Sequence, residues 1–345
     1  MSVRAVTLAD VALRAGVSQA TASRVLNGSE RVVGVEYQQR VMEAASELNY
    51  RPNVHAQAVA RGASSTVGLL VTDIADPYFS SIASGVMEVA EQRGLVVLLA
   101  NTRRGPALEI SYVEMLAAQR ARALVVIGSR TNDRDLTERM AKAVEAFRSN
   151  GGRVACVSED RLGTHTVLPR NRAGARDLAI ALAALGHRRF AVLAGPAELL
   201  TARDRRIGFR AGLSAAGVDP GGVEVVHGAL TRDGGYEAAA RLLERDERPT
   251  CVFAVNDVMA VGAMAALRDH GVAVPGDISV AGFDDIETLR DIQPTLTTVR
   301  LPLVGMGVTA AEMVLDDGPP TPRVVRVRGD VVLRASTASP RAAEA

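Results

Sequence analysis

Short runs of apolar and β-branched residues alternate with longer amphipathic segments from Thr66 onward, and this alternation constrains the fold more than any other feature. The runs lie at 67–71, 95–100, 123–128, 153–158, 190–195, 251–255 and 278–283. Strands that are apolar on both faces and separated by helical segments predict parallel sheets with helices covering both sides. A single sheet of this many units is compatible with the pattern, but a stretch of about 270 residues favours two doubly wound subdomains.

Polar residues follow these apolar runs, at the places where the strands should end. They are Asp73, Asp76, Asn101, Ser129, Glu159, Asn256, Asp257, Asp284 and Asp285. Because ligands of parallel sheets bind beyond the carboxyl ends of the strands, we expect a binding site to draw on this set.

Length and composition exclude several classes of protein. The 345 residues predict two or three domains, and a content of 48% hydrophobic and 23% charged residues excludes wholesale disorder and a fibrous class. Cys156 and Cys251 lie inside apolar runs and form no disulfide framework, which indicates a reducing cytoplasm. Because the N-terminus lacks the apolar segment of a signal peptide and no run approaches the ~20 apolar residues of a membrane span, we expect no membrane partner.

The first fifty residues have the pattern of three short helices. The first begins after Thr7, which forms a capping box with Asp10, and Gly16 ends it. The second covers about 19–26 and the third about 35–48. Two helices joined by a short turn that contains glycine match a helix-turn-helix, which places its second helix in the major groove of DNA. An ordinary helical hairpin with a polar outer face is the alternative that this spacing leaves open.

The second of these helices carries side chains suited to reading DNA. Gln19, Thr21, Ser23 and Arg24 supply amide, hydroxyl and guanidinium groups. Such groups hydrogen-bond base edges in the major groove or phosphate oxygens of the backbone. The second helix is therefore the candidate recognition helix.

The same residues carry a resemblance to a known family. The string TLADVALRAGVSQATASRVLNG at 7–28 closely resembles the DNA-binding headpiece of the lactose/galactose repressor (LacI/GalR) family. VMEAASELNYRPN at 41–53 resembles the family's third helix and the start of its hinge. Family patterns recur as DIADPYF (73–79), GHRRFAVLAGP (186–196), VNDVMAVGAMAAL (255–267) and GDISVAGFDD (276–285). The likeness covers almost the whole chain.

The resemblance implies an α/β architecture in three parts. An all-α helix-turn-helix headpiece and a hinge precede a periplasmic-binding-protein-like core of two doubly wound parallel-sheet subdomains. The implied boundaries are 1–50 for the headpiece, 51–65 for the hinge, 66–337 for the core and 338–345 for a tail. Within the core, the N-subdomain takes about 66–162 and 297–324, and the C-subdomain takes about 163–296 and 325–337.

The resemblance also implies which residues contact operator DNA. They are Thr7, Leu8, Ser18, Gln19, Ala20, Thr21, Ser23, Arg24, Asn27, Arg31, Asn53, Ala56 and Val59. Gln19, Ala20 and Arg24 occupy the base-reading positions. Since an alanine can only touch a thymine methyl, we expect Gln19 and Arg24 to carry most of the direct readout. A solvated polar face is the alternative for any one of them.

Family hinges fold on operator DNA and insert an apolar side chain into the minor groove, where this chain has Val59. Because apolar wedges unstack a base step and valine is shorter than the usual leucine, we expect a weaker wedge. Val59→Leu is then expected to tighten operator binding. A plain linker is the alternative interpretation of this segment.

For the effector, the resemblance implies contacts in a cleft between the core subdomains. The candidate residues are Asp76, Phe79, Arg170, Arg205, Asn256 and Asp284. Arg205 matches the family's ligand-binding arginine, and its guanidinium beside carboxylate or carboxamide acceptors suits a polyhydroxylated ligand. A structural ion pair between Arg205 and Asp284 is the alternative. Asp257 is assigned a structural role, because Val-Asn-Asp is typical of a helix N-terminus.

Two positions depart from the family pattern. Arg170 stands where an Asp is common, and Leu301 stands where a Gln is common. Arg170 either adds positive charge to the cleft, which would suit a sugar acid or sugar phosphate, or points to solvent with loss of the usual ligand. The sequence leaves both open.

Together these features predict a ligand-responsive transcriptional regulator, a repressor that binds a palindromic operator as a homodimer and is released by a sugar or sugar derivative. An effector that promotes DNA binding instead is left open. A solute-binding protein of a transport system shares the core fold, but the headpiece argues against it. An α/β enzyme with a helical appendage is disfavoured, since no paired catalytic groups are visible.

No cofactor or metal site is predicted. The string GMGVTA at 305–310 fits the spacing of a dinucleotide loop, but Pro302 interrupts the approach and the acidic residue expected about 20 positions later is missing. The five histidines have no cysteine partner at the spacing of metal ligands.

The charge of the chain is weak evidence on nucleic-acid binding. The net charge is +1, and residues 1–62 contain seven arginines against five carboxylates. Because this excess of positive charge is small, we expect a shallow salt dependence of operator affinity.

Overall fold

A computed structural model describes residues 6–27, 33–50, 65–245, 247–318 and 321–341. The chain divides into two compact units, Met1–Ser65 and Thr66–Ala345. The division falls where the resemblance placed the end of the hinge.

The first unit contains three helices: α1 (Leu8–Ala15), α2 (Gln19–Asn27) and α3 (Val35–Glu47). The predicted capping box is present at α1, where Thr7 Oγ1 accepts the Asp10 N–H at 3.4 Å and Asp10 Oδ2 accepts the Thr7 N–H at 2.8 Å. Gly16 ends α1 with φ +63°, a left-handed conformation that suits glycine. The buried core of this unit is Val11, Ala12, Ala15, Ala22, Val41, Ala44 and Ala45.

The second unit begins with a six-stranded parallel sheet. Its strands are β1 (Thr66–Val71), β2 (Val96–Asn101), β3 (Ala123–Ile127), β4 (Arg153–Val157), β5 (His165–Pro169) and β11 (Val324–Val327), in the spatial order β11-β5-β4-β3-β1-β2. The helices of this subdomain are α4 (Pro77–Gln92), α5 (Pro106–Ala118), α6 (Arg134–Ser149) and α11 (Leu303–Leu315). The central strands are fully buried, as their apolar sequences predict.

A second parallel sheet of four strands forms the other subdomain. Its strands are β6 (Phe190–Ala194), β7 (Glu224–His227), β8 (Cys251–Ala254) and β9 (Ser279–Ala281), in the order β7-β6-β8-β9. Its helices are α7 (Asn171–Ala184), α8 (Leu200–Ala215), α9 (Arg232–Leu243) and α10 (Asp257–Asp269). An antiparallel pair, β10 (Thr298–Arg300) with β12 (Asp330–Val332), accompanies the two sheets.

The sheet pairings correct the expected subdomain boundaries. Strand β5 pairs with β4, and β11 pairs with β5, so the first subdomain continues beyond 162 to Pro169 and beyond 324 to Val327. The register of a short strand depends on its partner, which its own sequence does not specify. The described part of the expected tail, 338–341, also belongs to the fold, because Ser279 bonds Ala338 and Arg341 pairs with Asp277.

The GMGVTA string lies inside helix α11 and packs against α4. A Cβ added at Gly307 would lie within 1.9 Å of the Ile82 carbonyl oxygen, and one at Gly85 within 2.1 Å of the Val304 carbonyl oxygen. Glycine at these two positions lets the two helix backbones approach closely. Across the described parts of the chain, no helix combines the length and the apolar character that a membrane crossing requires.

Candidate nucleic-acid interface and effector cleft

Helix α2 presents the side chains predicted to read DNA. Gln19, Ala20 and Arg24 are exposed. Ser18 caps the helix, since its hydroxyl accepts the Thr21 N–H at 3.1 Å and lies 2.8 Å from the Thr21 hydroxyl. The cap satisfies a backbone donor at the helix start and fixes the first turn of the recognition helix.

Contacts from α3 hold the turn between the first two helices. Arg40 donates to the Ala15 carbonyl oxygen at 2.5 Å, directly before the left-handed Gly16. Arg14 on α1 pairs with Glu47 on α3 at 2.7 Å, but both side chains are more than half exposed, so this pair contributes little stability. The α3 helix therefore supports the placement of α2 mainly through the buried alanine and valine core and Arg40.

The remaining predicted DNA contacts fall into two groups. Thr7 is exposed, Leu8, Thr21 and Ser23 are half-buried, and Asn27 ends α2. Arg31, Asn53, Ala56 and Val59 lie outside the described residues, so the minor-groove wedge stays a prediction.

The candidate effector cleft is a cavity of about 50 Å³ at the carboxyl ends of both parallel sheets. Its lining residues are Asp76, Tyr78, Phe79, Arg104, Gly128, Ser129, Val157, Ser158, Glu159, Pro169, Asn171, Thr201, Ala202, Arg205, Leu230, Val255, Asn256 and Asp284. Five of the six predicted effector residues are in this set. The position of this cavity agrees with the rule that ligands of doubly wound sheets bind beyond the carboxyl ends of the strands.

Arg205 on α8 is the buried centre of the cleft. Its guanidinium forms a bidentate pair with Asp284, at 2.6 and 3.2 Å, and Nε donates to Asn171 Oδ1 at 2.9 Å. Nη1 also donates to the Val255 carbonyl oxygen at 2.8 Å, and the guanidinium carbon lies 3.9 Å from the centroid of the Phe283 ring. The ion pair that the sequence left as an alternative is thus present, and both its members line the cavity.

Two adjacent carboxyls after β9 have opposite electrostatic environments. Burial raises the pKa of Asp284, although Arg205 opposes the shift. Asp285 is only partly buried, and hydrogen bonds from Arg334 and Arg300 outweigh its desolvation and lower its pKa. Asp284 has φ +122° and Asp285 has φ +58°, conformations that cost free energy for residues other than glycine and cluster at functional sites.

Of the adjacent residues Asn256 and Asp257, only Asn256 lines the cleft. Asn256 lines the cleft and also caps α10, accepting the Met259 N–H at 3.1 Å. Asp257 is fully buried outside the cleft, and accepts from the Ile286 N–H at 3.1 Å and from the Thr298 hydroxyl at 2.6 Å. Burial raises the pKa of Asp257 to about 6.

Neither departure from the family pattern contributes to the lining of the cleft, although Pro169 and Asn171 on either side of Arg170 do. Arg170 is exposed and is not among the residues that line the cavity, so the structure supports the solvent-facing alternative. Leu301 is buried in the apolar core. The role of Arg170 at the effector site stays a prediction.

Hydrogen bonds across the cleft join the subdomains and were not expected from the sequence. Thr201 at the start of α8 donates from its hydroxyl to Glu159 at 2.7 Å, and its N–H donates to the Ser129 hydroxyl at 3.0 Å. Arg104 donates to the Leu230 carbonyl oxygen at 3.1 Å. Ser129 and Glu159 were indicated by their positions after strands, whereas Thr201 and Arg104 have no local signal.

Comparisons with known proteins agree with this architecture. Residues 7–53 match the family model "Bacterial regulatory proteins, lacI family", and residues 179–337 match a periplasmic binding protein-like domain. The chain is 37% identical to the HTH-type transcriptional regulator GalS of Salmonella typhimurium, over 90% of this chain and 89% of that protein. It is 35% identical to the HTH-type transcriptional regulator GalR of Escherichia coli, over 98% and 97% of the two chains. The chain belongs to the lacI family of bacterial regulatory proteins.

A solved lacI-family structure is similar to this chain over nearly its whole length. The lac repressor dimer bound to operator and the anti-inducer ONPF superposes with a TM-score of 0.81 at 29% identity, covering 97% of this chain and all of that one. The lacI-family headpiece and the periplasmic-binding-protein-like core are therefore both present, and the protein is a transcriptional regulator rather than an enzyme. Among the described residues, no group of three or more His, Cys, Asp or Glu side chains is placed to hold a metal.

Proposed function

We propose that this regulator is a cytoplasmic repressor that binds a palindromic operator as a homodimer and is released by a neutral polyhydroxylated effector. The recognition helix supports the first part, because Gln19 and Arg24 are exposed on a capped helix. A headpiece this small buries too little surface for specific binding alone, so two copies on a two-fold operator are required.

An exposed apolar strip on the first subdomain supports assembly with a second copy. Val96, Leu98 and Leu99 on β2, at the edge of the six-stranded sheet, are 59%, 39% and 37% exposed. Met87 and Met115, on two other elements of the same subdomain, are 40% and 44% exposed. Exposed apolar side chains on an edge strand are typical of protein interfaces, and self-association through β2 would cover both these side chains and the sheet edge.

The arrangement around Arg205 carries the proposal for the effector. A guanidinium fork held beside the Asp284 carboxylate and the Asn256 and Asn171 amides offers donors and acceptors together in a buried site. Adjacent sugar hydroxyls donate and accept at once, so they match this set. Arg104, the other cleft cation, faces Asp73 and Asp76 at 3.7 and 3.8 Å, which balances its charge and favours a neutral ligand.

The cross-cleft hydrogen bonds supply the link between effector and DNA. A ligand bound among Arg205, Glu159 and Ser129 competes with or reinforces the Thr201 bonds, and so changes the relative stability of two subdomain orientations. By linkage, an effector that favours the orientation with weaker operator affinity is bound less tightly when DNA is present. We expect this coupling to be about 1–3 kcal/mol.

The test is fluorescence anisotropy with a labelled duplex from the region upstream of the protein's own gene. The full chain should bind it at least about 1,000-fold more tightly than a scrambled duplex, with affinity that falls as salt rises. Sugars added to the complex should release it. Arg205→Lys should bind the duplex with unchanged affinity but fail to respond to the sugar, whereas Arg206→Lys, the next residue on α8 and outside the cavity lining, should respond normally. Binding that ignores sequence and salt would exclude the repressor.

A further inference from the structure

A row of basic side chains lies at the amino-terminal ends of the strands in the six-stranded sheet, the edge opposite the cleft. Arg122 directly precedes β3, Arg153 begins β4, His165 begins β5, and Arg323 directly precedes β11. The Arg153 N–H donates to the Arg122 carbonyl oxygen at 3.3 Å, and the Thr166 N–H donates to the Arg323 carbonyl oxygen at 2.9 Å. Because neighbouring strands lie about 5 Å apart, the row extends over roughly 15 Å of sheet edge.

The positive charges of this row converge on a concave surface. A cavity of about 340 Å³ at the same edge is lined by Arg148, Arg153 and His165, among others. The pKa of His165 is lowered, first by burial and then by the charges of Arg153, Arg323 and Arg148. Concave surfaces lined by charges of one sign focus the electrostatic field and attract counter-ions.

The carboxylates of the chain leave much of this charge uncompensated. Glu145 pairs with Arg148, and Asp316 pairs with Arg93. Within the described residues, no carboxylate forms an ion pair with the arginines that begin or precede β3, β4 and β11. Arg153 instead donates to backbone carbonyl oxygens that follow α11, which fixes its guanidinium without neutralising it. An anion from outside the chain would therefore find unpaired positive charge at this edge.

The path of the chain indicates which anion is available. Thr66 begins β1 at the same edge, where its carbonyl oxygen accepts the Arg122 N–H at 2.9 Å. Residues 48–65 connect the last headpiece helix to this edge, and a segment of that length cannot span more than roughly 60 Å. DNA bound by the headpiece is therefore tethered near the row, and it carries one phosphate charge about every 1.7 Å along its axis.

We propose that Arg122, Arg153 and Arg323 contact the phosphate backbone of the DNA that the headpiece binds, so that the core adds a second, sequence-independent contact with the duplex. This rests on the proposed function, since the headpiece must first hold the DNA. The planar guanidinium group pairs with two phosphate oxygens at once. Because the two contacts belong to one chain, the second forms at a high effective concentration of DNA. The row thus adds to the small positive excess of the headpiece and steepens the salt dependence of binding.

The experiment is a set of anisotropy titrations of the full chain with the upstream duplex and with its scrambled counterpart, each at several salt concentrations. Arg122→Gln combined with Arg323→Gln removes two exposed charges. The double variant should bind both duplexes at least about 10-fold more weakly at low salt, with the ratio between them unchanged. The slope of log K against log salt should become shallower by about 2–4, since each lost phosphate contact removes about 0.9 and a homodimer carries two copies.

Two further double variants serve as controls. Arg139→Gln combined with Arg189→Gln removes the same charge from exposed arginines on α6 and before β6. It should change affinity by less than about twofold and leave the salt slope nearly constant. Arg122→Lys combined with Arg323→Lys keeps both charges and should keep the slope of the wild type.

Equal effects of the two glutamine pairs would overturn the contact between core and DNA. Calorimetry with sodium triphosphate tests a small anion as the occupant. If the wild type binds triphosphate, and Arg122→Gln with Arg323→Gln abolishes that binding without changing the salt slope, the row is a small-anion site and the DNA contact is wrong. If the wild type does not prefer the upstream duplex, the proposed operator fails, while the slopes on the scrambled duplex still decide whether the row contacts DNA. A full chain that binds neither duplex overturns both.

Discussion

The two units of this chain differ in the size of the side chains that form their cores. Among the described residues of the first unit, the fully buried core consists of seven valine and alanine side chains, with partly buried residues such as Leu8, Leu26 and Leu48 packed against them. The second has a core that includes Phe147, Phe209, Phe253 and Phe283, all fully buried. A small core of small side chains gives limited stability, because buried apolar area is the main favourable contribution to folding.

The units also differ in where their functional groups lie. In the first, Gln19 and Arg24 are exposed, so the residues predicted to recognise DNA are separate from those that form the core. In the second, Arg205 and Asp284 are buried and bonded to each other, so the same residues serve the cleft and the fold. Substitutions in the headpiece should therefore separate function from stability, whereas substitutions in the cleft should change both.

The largest effect is expected from Arg205→Met. It leaves the Asp284 carboxylate buried without its partner, and such losses cost about 3–5 kcal/mol. Chemical denaturation of the full chain should show this loss in the transition of the second unit, with the helical transition of the headpiece unchanged.

Two further variants control this prediction. Arg172→Met breaks a pair with Asp204 in which Arg172 is 58% exposed, and should cost less than about 1 kcal/mol. Arg205→Met combined with Asp284→Leu removes both charges and should recover much of the loss. Equal effects for Arg205→Met and Arg172→Met would show that burial of the pair is unimportant.

The second prediction concerns pH and Asp257. Burial raises its pKa in the folded protein from 3.8 to about 6. Between these values the folded state keeps a proton that the unfolded state has released, so this contribution to the free energy of unfolding falls as pH rises from about 4 to 6. The change is at most about 3 kcal/mol.

Asp257→Asn has no such titration and provides the reference. The free energy of unfolding of the wild type minus that of the variant should decrease across this window and be constant above about pH 7. The measurement is urea denaturation at intervals of pH from 4.5 to 7.5. A difference that is flat, or that increases with pH, contradicts the assignment.

The sequence predicted the elements better than it predicted their pairings. All seven apolar runs form strands, and the three headpiece helices lie within a residue or two of their expected bounds. The strands that were not predicted are β5, β7, β10, β11 and β12. Of these, β7 and β11 lie at sheet edges and carry charged or half-buried residues in place of an apolar run.

The candidate site shows the same difference, because individual residues were predicted but the contacts between them were not. Arg205, Asp284 and Asn256 were found from strand ends and family motifs, and all three line the cleft. The Thr201–Glu159 and Arg130–Glu109 contacts were missed because each joins residues on different elements, and sequence spacing does not report which side chains the fold brings together. For Arg170 the sequence left a cleft-facing and a solvent-facing position open, and the side chain is exposed.

The third prediction tests the exposed face of the headpiece. Arg24→Ala should weaken operator binding by about 1–3 kcal/mol, since a base contact is lost, while the free energy of unfolding hardly changes. Arg14→Ala, which removes an exposed arginine on α1, should have a much smaller effect on specific affinity. Anisotropy titrations at several salt concentrations distinguish a base contact of Arg24 from a phosphate contact. If the salt slope falls by about one, Arg24 contacts a phosphate rather than a base.

The smallest expected effect on stability comes from removing a helix N-cap, a contact that is present in both units. Thr7 and Thr231 are helix N-caps whose hydroxyls accept a backbone N–H, at 3.4 and 3.0 Å. Thr7→Val and Thr231→Val should each cost about 1 kcal/mol, and Thr→Ser at either position should cost less because the acceptor remains. The same free energy shifts the melting temperature by about 4–8 °C in a domain of 60–100 residues and by about 2–4 °C in one of 150–250 residues. Hydrogen exchange of α1 and α9 amides in the full chain, followed with temperature, should therefore show the larger shift in the headpiece. Equal shifts would mean that the headpiece does not unfold separately from the core, and that the contrast in core composition has no consequence for stability.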